Sequence, residues 1–431
     1  MPRIAQTPPM GWNSRDCFGV SVTEAEVKAN ADYMAERLKQ YGWEYVVVDL
    51  GWYAPSASKD DYKLPRIDQL IDDYGRLIPD PVKFPSAADG SGFRPLADYV
   101  HSLGLKFGIH IMRSIPWQAV ERNTPILGSQ SRAADIAQPE NLCPWYKGMY
   151  GVNMTRDGGQ AWYNSLLELY SQWDVDFIKA DDLNSWDGGD MTAPYHTDEI
   201  EGVHDAIERT GRPIVLSLSP GAALVCNARH LRRNVNMFRI SCDFWDDWET
   251  LRGQFERCER WAPYAVPGCW PDADMLPFGK IGIRGEVGQP RLTRFTENEQ
   301  YTLMTLWSIV RSPLMFGGHL PEADPLSIEL ITNEEVLTVN QASSGGWEVH
   351  SDQEQVIWLA DAREKSETYL ALFNLREEES PVRFDLSGRY EIRDLWRHED
   401  LGIFEGHFAP SIGRHGAGLY RLRENGNLPL F

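Results

Sequence analysis

Val175-Asp-Phe-Ile-Lys-Ala-Asp-Asp182 decides the fold. A short apolar run of β character ends abruptly in a lysine and two carboxylates. Strands buried on both faces of a parallel sheet read as near-continuous apolar segments, so Lys179, Asp181 and Asp182 fall at the C-terminal mouth of one. In a (β/α)8 barrel that end carries the chemistry and the opposite end carries stability. Outward from this octamer, the same pattern recurs along the chain. Met10 to Asn13, Tyr45-Val-Val-Val-Asp-Leu50, Lys106-Phe-Gly-Ile-His-Ile111, Pro213-Ile-Val-Leu-Ser-Leu218, Asn236-Met-Phe-Arg-Ile-Ser241, Tyr264-Ala-Val266 leading to Trp270, and Ser312 to Gly318 are further strand candidates.

Helical patterns lie between most of them. Thr23-Glu-Ala-Glu26 is a capping box, and Val27, Ala31, Met34 and Leu38 follow on one helical face. Pro95 to Leu103, Gln160 to Trp173, Val203 to Thr210, Trp248 to Arg260 and Glu297 to Val310 are also helical, with Pro95 suited to a first turn. Eight βα units imply a closed parallel barrel of ~250 residues or more. The long segment from Tyr53 to Pro95, rich in Asp, Pro and Ser, is expected to lie over the active face. After Asn340 the pattern changes to short period-two runs: Gly345 to His350, Gln355 to Ala360, Thr368 to Asn374 and Gly416 to Leu422. These predict an antiparallel β-sandwich. The expected architecture is an α/β chain, with a (β/α)8 TIM barrel in residues 1–342 and a C-terminal antiparallel β domain in 343–431.

Composition narrows the function. The 431 residues carry 42 Lys and Arg against 63 Asp and Glu, a net charge of −21, which argues against nucleic acid or an anionic membrane as partner. No apolar run approaches the ~18 residues of a membrane span. The six cysteines are scattered without a Cys-x-x-Cys pair, so neither a zinc cluster nor a disulfide framework is expected. With no apolar leader after Met1, the sequence reads as cytoplasmic.

The polar residues at strand ends are Asp49, His110, Lys179, Asp181, Ser219, Arg239, Asp243, Asp272 and Asp274, accompanied by Trp12, Trp52 and Trp270. Carboxylates, two cations and aromatic rings converging on one barrel face make a sugar site. Charged groups hold hydroxyls, rings cover the C–H face, and two carboxylates divide nucleophile and acid/base work. A metal-dependent hydrolase using Asp49, His110 and Asp272 is the competing enzyme class, although no His-x-His pair is present. A sugar-binding barrel without catalysis would lack Asp181 or Asp243, and both are here.

At these residues the sequence resembles glycoside hydrolase family 27, the α-galactosidase and α-N-acetylgalactosaminidase family. The resemblance lies in Thr7-Pro-Pro-Met-Gly-Trp-Asn-Ser14, Val48-Asp-x-Gly-Trp52, Asp176-Phe-Ile-Lys-Ala-Asp181, Arg239-Ile-Ser-Cys-Asp-Phe-Trp-Asp-Asp-Trp248 and Pro267-Gly-Cys-Trp-Pro-Asp-Ala-Asp-Met-Leu276. It implies an exo-acting, retaining double displacement on terminal α-linked galacto-configured sugars, with Asp181 as nucleophile and Asp243 as acid/base. Asp181 must be ionised while Asp243 begins protonated, so their environments should separate the two carboxyls. The resemblance further implies that Lys179 and Arg239 bind hydroxyls, Asp49 grips the O4/O6 side, Asp274 sits near O2 and Trp12 lies under the ring. It implies no metal and no cofactor.

The sequence departs from the family pattern in three ways. Leu50 replaces a second aspartate on the O4/O6 side, which favours a sugar without C6, such as a β-L-arabinopyranoside. Ser219 and Ala222 are small where galactosidases carry larger groups against O2, which favours a 2-acetamido sugar. Asp182 and Leu183 stand where secreted relatives have a cysteine, and Asp182 is a further candidate sugar ligand. D-Galactose is the default substrate, N-acetylgalactosamine the second and L-arabinopyranose the third. Oligomeric state and aglycone are not legible.

Overall fold

The computed structural model describes residues 4–55, 57–58, 67–188 and 191–425. Eight parallel strands form the expected sheet: β1 (Met10–Asn13), β2 (Tyr45–Val48), β3 (Lys106–Met112), β4 (Phe177–Asp181), β5 (Val215–Leu218), β6 (Met237–Arg239), β7 (Trp270–Asp272) and β8 (Leu314–Phe316). Their order is β7-β6-β5-β4-β3-β2-β1-β8, every pairing is parallel, and a bridge from Leu276 to Phe316 closes the ring.

The period of two along each strand separates the residues that face the lumen from those that face the helices. Tyr45, Val47, Phe177, Val215, Met237, Trp270 and Met315 fill the lumen as one apolar cluster. The next inward positions toward the C-terminal mouth, by the same parity, are Asp49, Lys179, Asp181, Arg239 and Asp272. The register sets His110 beside Lys179, Lys179 beside Ser217 and Arg239 beside Asp272. The polar site is therefore the top layer of the barrel's own side-chain stacking.

The helices follow the expected positions. The capping box at Thr23 is formed, with its N–H donating to Glu26 at 2.9 Å. Val27, Ala31, Met34 and Leu38 are all fully buried, although the helix Glu24–Tyr33 widens into a π-type turn over Met34–Leu38. The Tyr264 to Val266 expectation needs correcting. Ala262–Tyr264 is a helical turn, and the strand begins at Trp270. Residues 115–152, not assigned from sequence, contain a small antiparallel sheet of Ile115–Pro116, Met149–Val152 and Ala137–Leu142.

Helix Glu334–Ala342 leads into a six-stranded antiparallel sheet made of Ser344–Ser351, Gln355–Asp361, Glu367–Asn374, Phe384–Asp394, Glu399–Phe408 and Ala417–Glu424. A two-stranded ribbon, Ser380–Pro381 with Ser411–Ile412, places Val382 and Ile412 on its outer face beside Ile357, Leu370 and Leu372. The alternate residues Val356, Trp358, Ala371 and Phe373 belong to the main core of the barrel. No helix among the described residues is long and apolar enough to cross a membrane.

Candidate active site

A cavity of about 550 Å³ opens at the C-terminal mouth of the barrel, a size usual for small-molecule sites. Asp49, Leu50, Lys179, Asp181, Ser219, Arg239, Asp243 and Asp274 all line it. Six of the ten charged residues of the wall thus come from strand-end positions legible in the sequence, drawn from more than 200 residues of chain.

The floor is built from two ion-paired groups. On one side, the Asp49 carboxylate accepts from Lys179 Nζ at 2.9 Å and from Asn13 Nδ2 at 2.9 Å. Burial opposes ionisation of Asp49, but Lys179 and His110 hold its carboxyl well below the usual range. Asp181 lies next along the wall, 13% exposed, accepting from His110 Nε2 at 3.1 Å and from the Asp182 backbone N–H at 2.8 Å. Burial again pushes upward and is outweighed by the His110 hydrogen bond and Lys179, so Asp181 is held ionised. On the other side, Arg239 pairs with Asp274 at 2.6 Å and reaches Asp243 at 3.4 Å. Asp274 also accepts from the Phe244 N–H at 2.7 Å. The Asp243 side chain is 55% exposed and projects from the rim. One carboxylate is thus buried and held as an anion, and the other is open to solvent, a difference of setting suited to different tasks.

Two residues with strained backbone stand at this site. Asp182 (φ 60°) and Asp274 (φ 87°) both adopt the left-handed region unfavourable to residues with a Cβ, and such positions concentrate at functional sites. Buried ion pairs hold the loops that carry them. Arg113 pairs with Asp182 at 2.9 Å and with Glu199 at 2.8 Å, all three buried. Burial raises Asp182 to about 6 despite Arg113. Asp246 behind the Asp243 loop accepts from Arg291 at 3.1 Å and from the Arg294 N–H at 2.8 Å.

Several expected site residues lie elsewhere. Trp12 is fully buried, donates its indole N–H to the Gly318 carbonyl and does not line the cavity, because its parity in β1 points it at the helices. Trp52 and Trp270 are also fully buried. Trp52 donates to the His110 carbonyl, and Trp270 sits in the lower lumen. His110 is outside the wall but bonds Asp181 directly. Ala222 and Asp182 do not line the cavity either, and Asp182 is bound into its arginine pair rather than offered to a ligand. Asp272 is buried beneath the wall, raised to about 6 by burial against the pull of Arg239.

The described part of the 53–95 segment contributes nothing to the wall, and residues 56 and 59–66 lie outside the described residues. Its place at the mouth is taken by Pro144, Trp145 and Lys147, opposite Trp245 and the Arg15–Glu286 pair (2.8 Å). Trp245 and Asp16 stood inside or beside the quoted motifs. Trp145 and Lys147 occupy an aperiodic loop that gave no signal.

Asp49, His110 and Asp272 do not form a ligand group. Among the described residues, the cluster with metal-ligand spacing is Asp98, His101 and Asp174, away from the mouth. There Arg94 and Arg212 already pair with Asp98 and Asp174 at 2.8 and 2.7 Å.

A family profile described as alpha galactosidase A matches residues 7–114 and 150–342, and one described as alpha galactosidase C-terminal beta sandwich domain matches 352–422. The chain belongs to the α-galactosidase family, glycoside hydrolase family 27. It is a glycoside hydrolase on the barrel and β-sandwich fold of that family. Among solved family members, a GH27 β-L-arabinopyranosidase from Geobacillus stearothermophilus is 49% identical, with a TM-score of 0.95, over 99% of this chain and 98% of that one. An α-galactosidase of Oryza sativa is 26% identical over 98% of this chain and 86% of its own length. Human α-galactosidase A is 26% identical over 82% of this chain and 71% of its own.

Proposed function

We propose that this family member is a retaining, exo-acting β-L-arabinopyranosidase. The observation that carries the reading is Leu50, an apolar side chain in the cavity wall immediately beside the ion-paired Asp49. A galactoside's C6 hydroxyl would meet this leucine without a partner, and an unpaired buried hydroxyl is costly. An arabinopyranoside has the same ring stereochemistry and no C6. The likeness to the Geobacillus arabinopyranosidase supports the assignment. In this mechanism Asp181 attacks the anomeric carbon while Asp243 protonates the departing oxygen. Asp243 then deprotonates the water that releases the sugar, so configuration is retained. Asp49 with Lys179, and Asp274 with Arg239, hold ring hydroxyls as charge-assisted partners.

Galactose is the second reading, favoured by Asp49 itself, which remains available to O4. The N-acetylgalactosamine reading loses half of its support, since Ala222 is outside the wall. Parallel assays on 4-nitrophenyl β-L-arabinopyranoside, α-D-galactopyranoside and α-D-N-acetylgalactosaminide, with EDTA present, test the assignment. The arabinoside should give the highest kcat/KM, and a clear preference for galactoside would overturn it. Leu50→Asp should shift the galactoside-to-arabinoside ratio of kcat/KM toward galactose by about 10- to 100-fold. An unchanged ratio would separate Leu50 from specificity.

Residues 115–149, which the family profile leaves unmatched, supply Pro144, Trp145 and Lys147 to the mouth. We assign Trp145 to the aglycone side. Trp145→Ala should raise KM for an arabinopyranosyl disaccharide about 3- to 10-fold, the usual worth of an aromatic contact. Hydrolysis of the glycosyl fluoride, which has no sugar aglycone for Trp145 to contact, should be unchanged. An equal loss on both substrates would count against an aglycone role.

A further inference from the structure

Asp16 lies in the cavity wall and is 4% exposed, yet its Oδ2 is buried without a hydrogen-bond partner. The other wall carboxylates all have partners. Asp49 has Lys179 and Asn13, Asp181 has His110, Asp243 and Asp274 have Arg239, and Glu286 has Arg15. Buried polar groups are nearly always paired, and an exception calls for an explanation.

The surroundings are shaped around this carboxyl. At Gly317, a Cβ would come within 2.0 Å of Asp16 Oδ2, and at Gly285 one would come within 2.5 Å of the Asp16 carbonyl. That carbonyl also accepts from the Gly282 N–H at 2.8 Å, which fixes the turn from a second segment. The backbone thus leaves room for a group that the chain does not satisfy. Burial and the neighbouring Asp274 raise Asp16 well above the usual carboxylate range, against the pull of Lys179. A neutral carboxyl both donates and accepts.

We propose that Asp16 is a sugar-contacting residue, whose carboxyl takes a hydroxyl of the bound pyranose on the Asp274 side of the cavity as the partner it lacks. This deepens the glycosidase reading and rests on it. A packing role predicts something different, because an unpaired buried carboxyl without a ligand only lowers stability, and its replacement would leave sugar affinity alone.

The test compares wild type, Asp16→Asn, Asp16→Leu and Asp16→Ala by L-arabinose affinity in calorimetry, by kcat/KM on 4-nitrophenyl β-L-arabinopyranoside and by Tm. Asn keeps a neutral donor and acceptor and should hold arabinose affinity within about threefold. Leu and Ala should each weaken it by about 10-fold, the worth of one hydrogen bond. Whichever of Leu and Ala folds suffices, since the deciding quantity is its affinity relative to Asn. Equal affinity in Asn and the apolar variant would overturn the proposal. A wild type that cleaves neither arabinoside nor galactoside would overturn the glycosidase reading first, and the role of Asp16 with it.

Discussion

Asp181→Asn should lower kcat on 4-nitrophenyl β-L-arabinopyranoside by about 10⁴-fold or more, the scale on which loss of a covalent nucleophile is felt. An amide still accepts from His110 but cannot form the glycosyl ester. The Lys179 ammonium remains paired with Asp49, so the fold should survive, with Tm within a few degrees of the parent. A variant within 10-fold of wild type would remove Asp181 from the role. The setting of Asp181 also fixes the sign of the pH dependence. Its carboxyl is held below the ordinary range, so the anion is present throughout neutral pH and is lost only on strong acidification. The acid limb of kcat/KM attributable to Asp181 should accordingly fall below the ordinary aspartate value of about 3.9.

For Asp243→Ala, the expected loss depends on the leaving group. A sugar alkoxide needs its proton in the transition state, so a disaccharide should lose about 10²- to 10⁴-fold. Nitrophenolate leaves without much help, so glycosylation with that substrate should suffer far less. Deglycosylation, which still needs a base, should then become limiting, and added azide should restore turnover. The Asp243 side chain is half-exposed, and its ion pair is a long 3.4 Å contact to Arg239, which keeps Asp274 at 2.6 Å. Truncation should therefore cost little stability, since surface changes are usually small. Equal losses on both substrates, with no response to azide, would assign Asp243 a binding role instead.

The barrel was legible because lumen and helix faces are both apolar, so strands such as Tyr45–Val48 and Val215–Leu218 stand out as unbroken runs. Strand ends then gave Asp49, Lys179, Asp181 and Arg239, since the first polar residue of inward parity must lie at the mouth. The same logic misplaced the tryptophans. Trp12 and Trp270 are near strand ends, but one has outward parity and the other belongs to a lower layer, which a list of aromatic residues does not separate. Asp16 and Trp145 come from turns, where no period marks direction. The hairpin Phe384–Asp394 with Glu399–Phe408 escaped notice because much of its surface is exposed and charged, so its alternation is diluted by Arg, Asp and Glu.

The C-terminal sheet shares its inner face with the barrel's main core: Val356, Trp358, Ala371 and Phe373 join the same cluster as Leu303, Leu306 and Trp307 of helix Glu297–Ile309. The rings of Phe255 and Phe373 meet edge to face at 4.9 Å, and His415 stacks on Trp248 at 3.8 Å, five residues beyond Asp243. The two architectures are therefore expected to unfold as one cooperative unit. Heat or denaturant should then find no seam along which to peel the sheet away and leave an active barrel behind. Changes on the barrel-facing side of the sheet, at Phe373 or at His415, therefore press on the helix Trp248–Trp261 that follows the Asp243 loop.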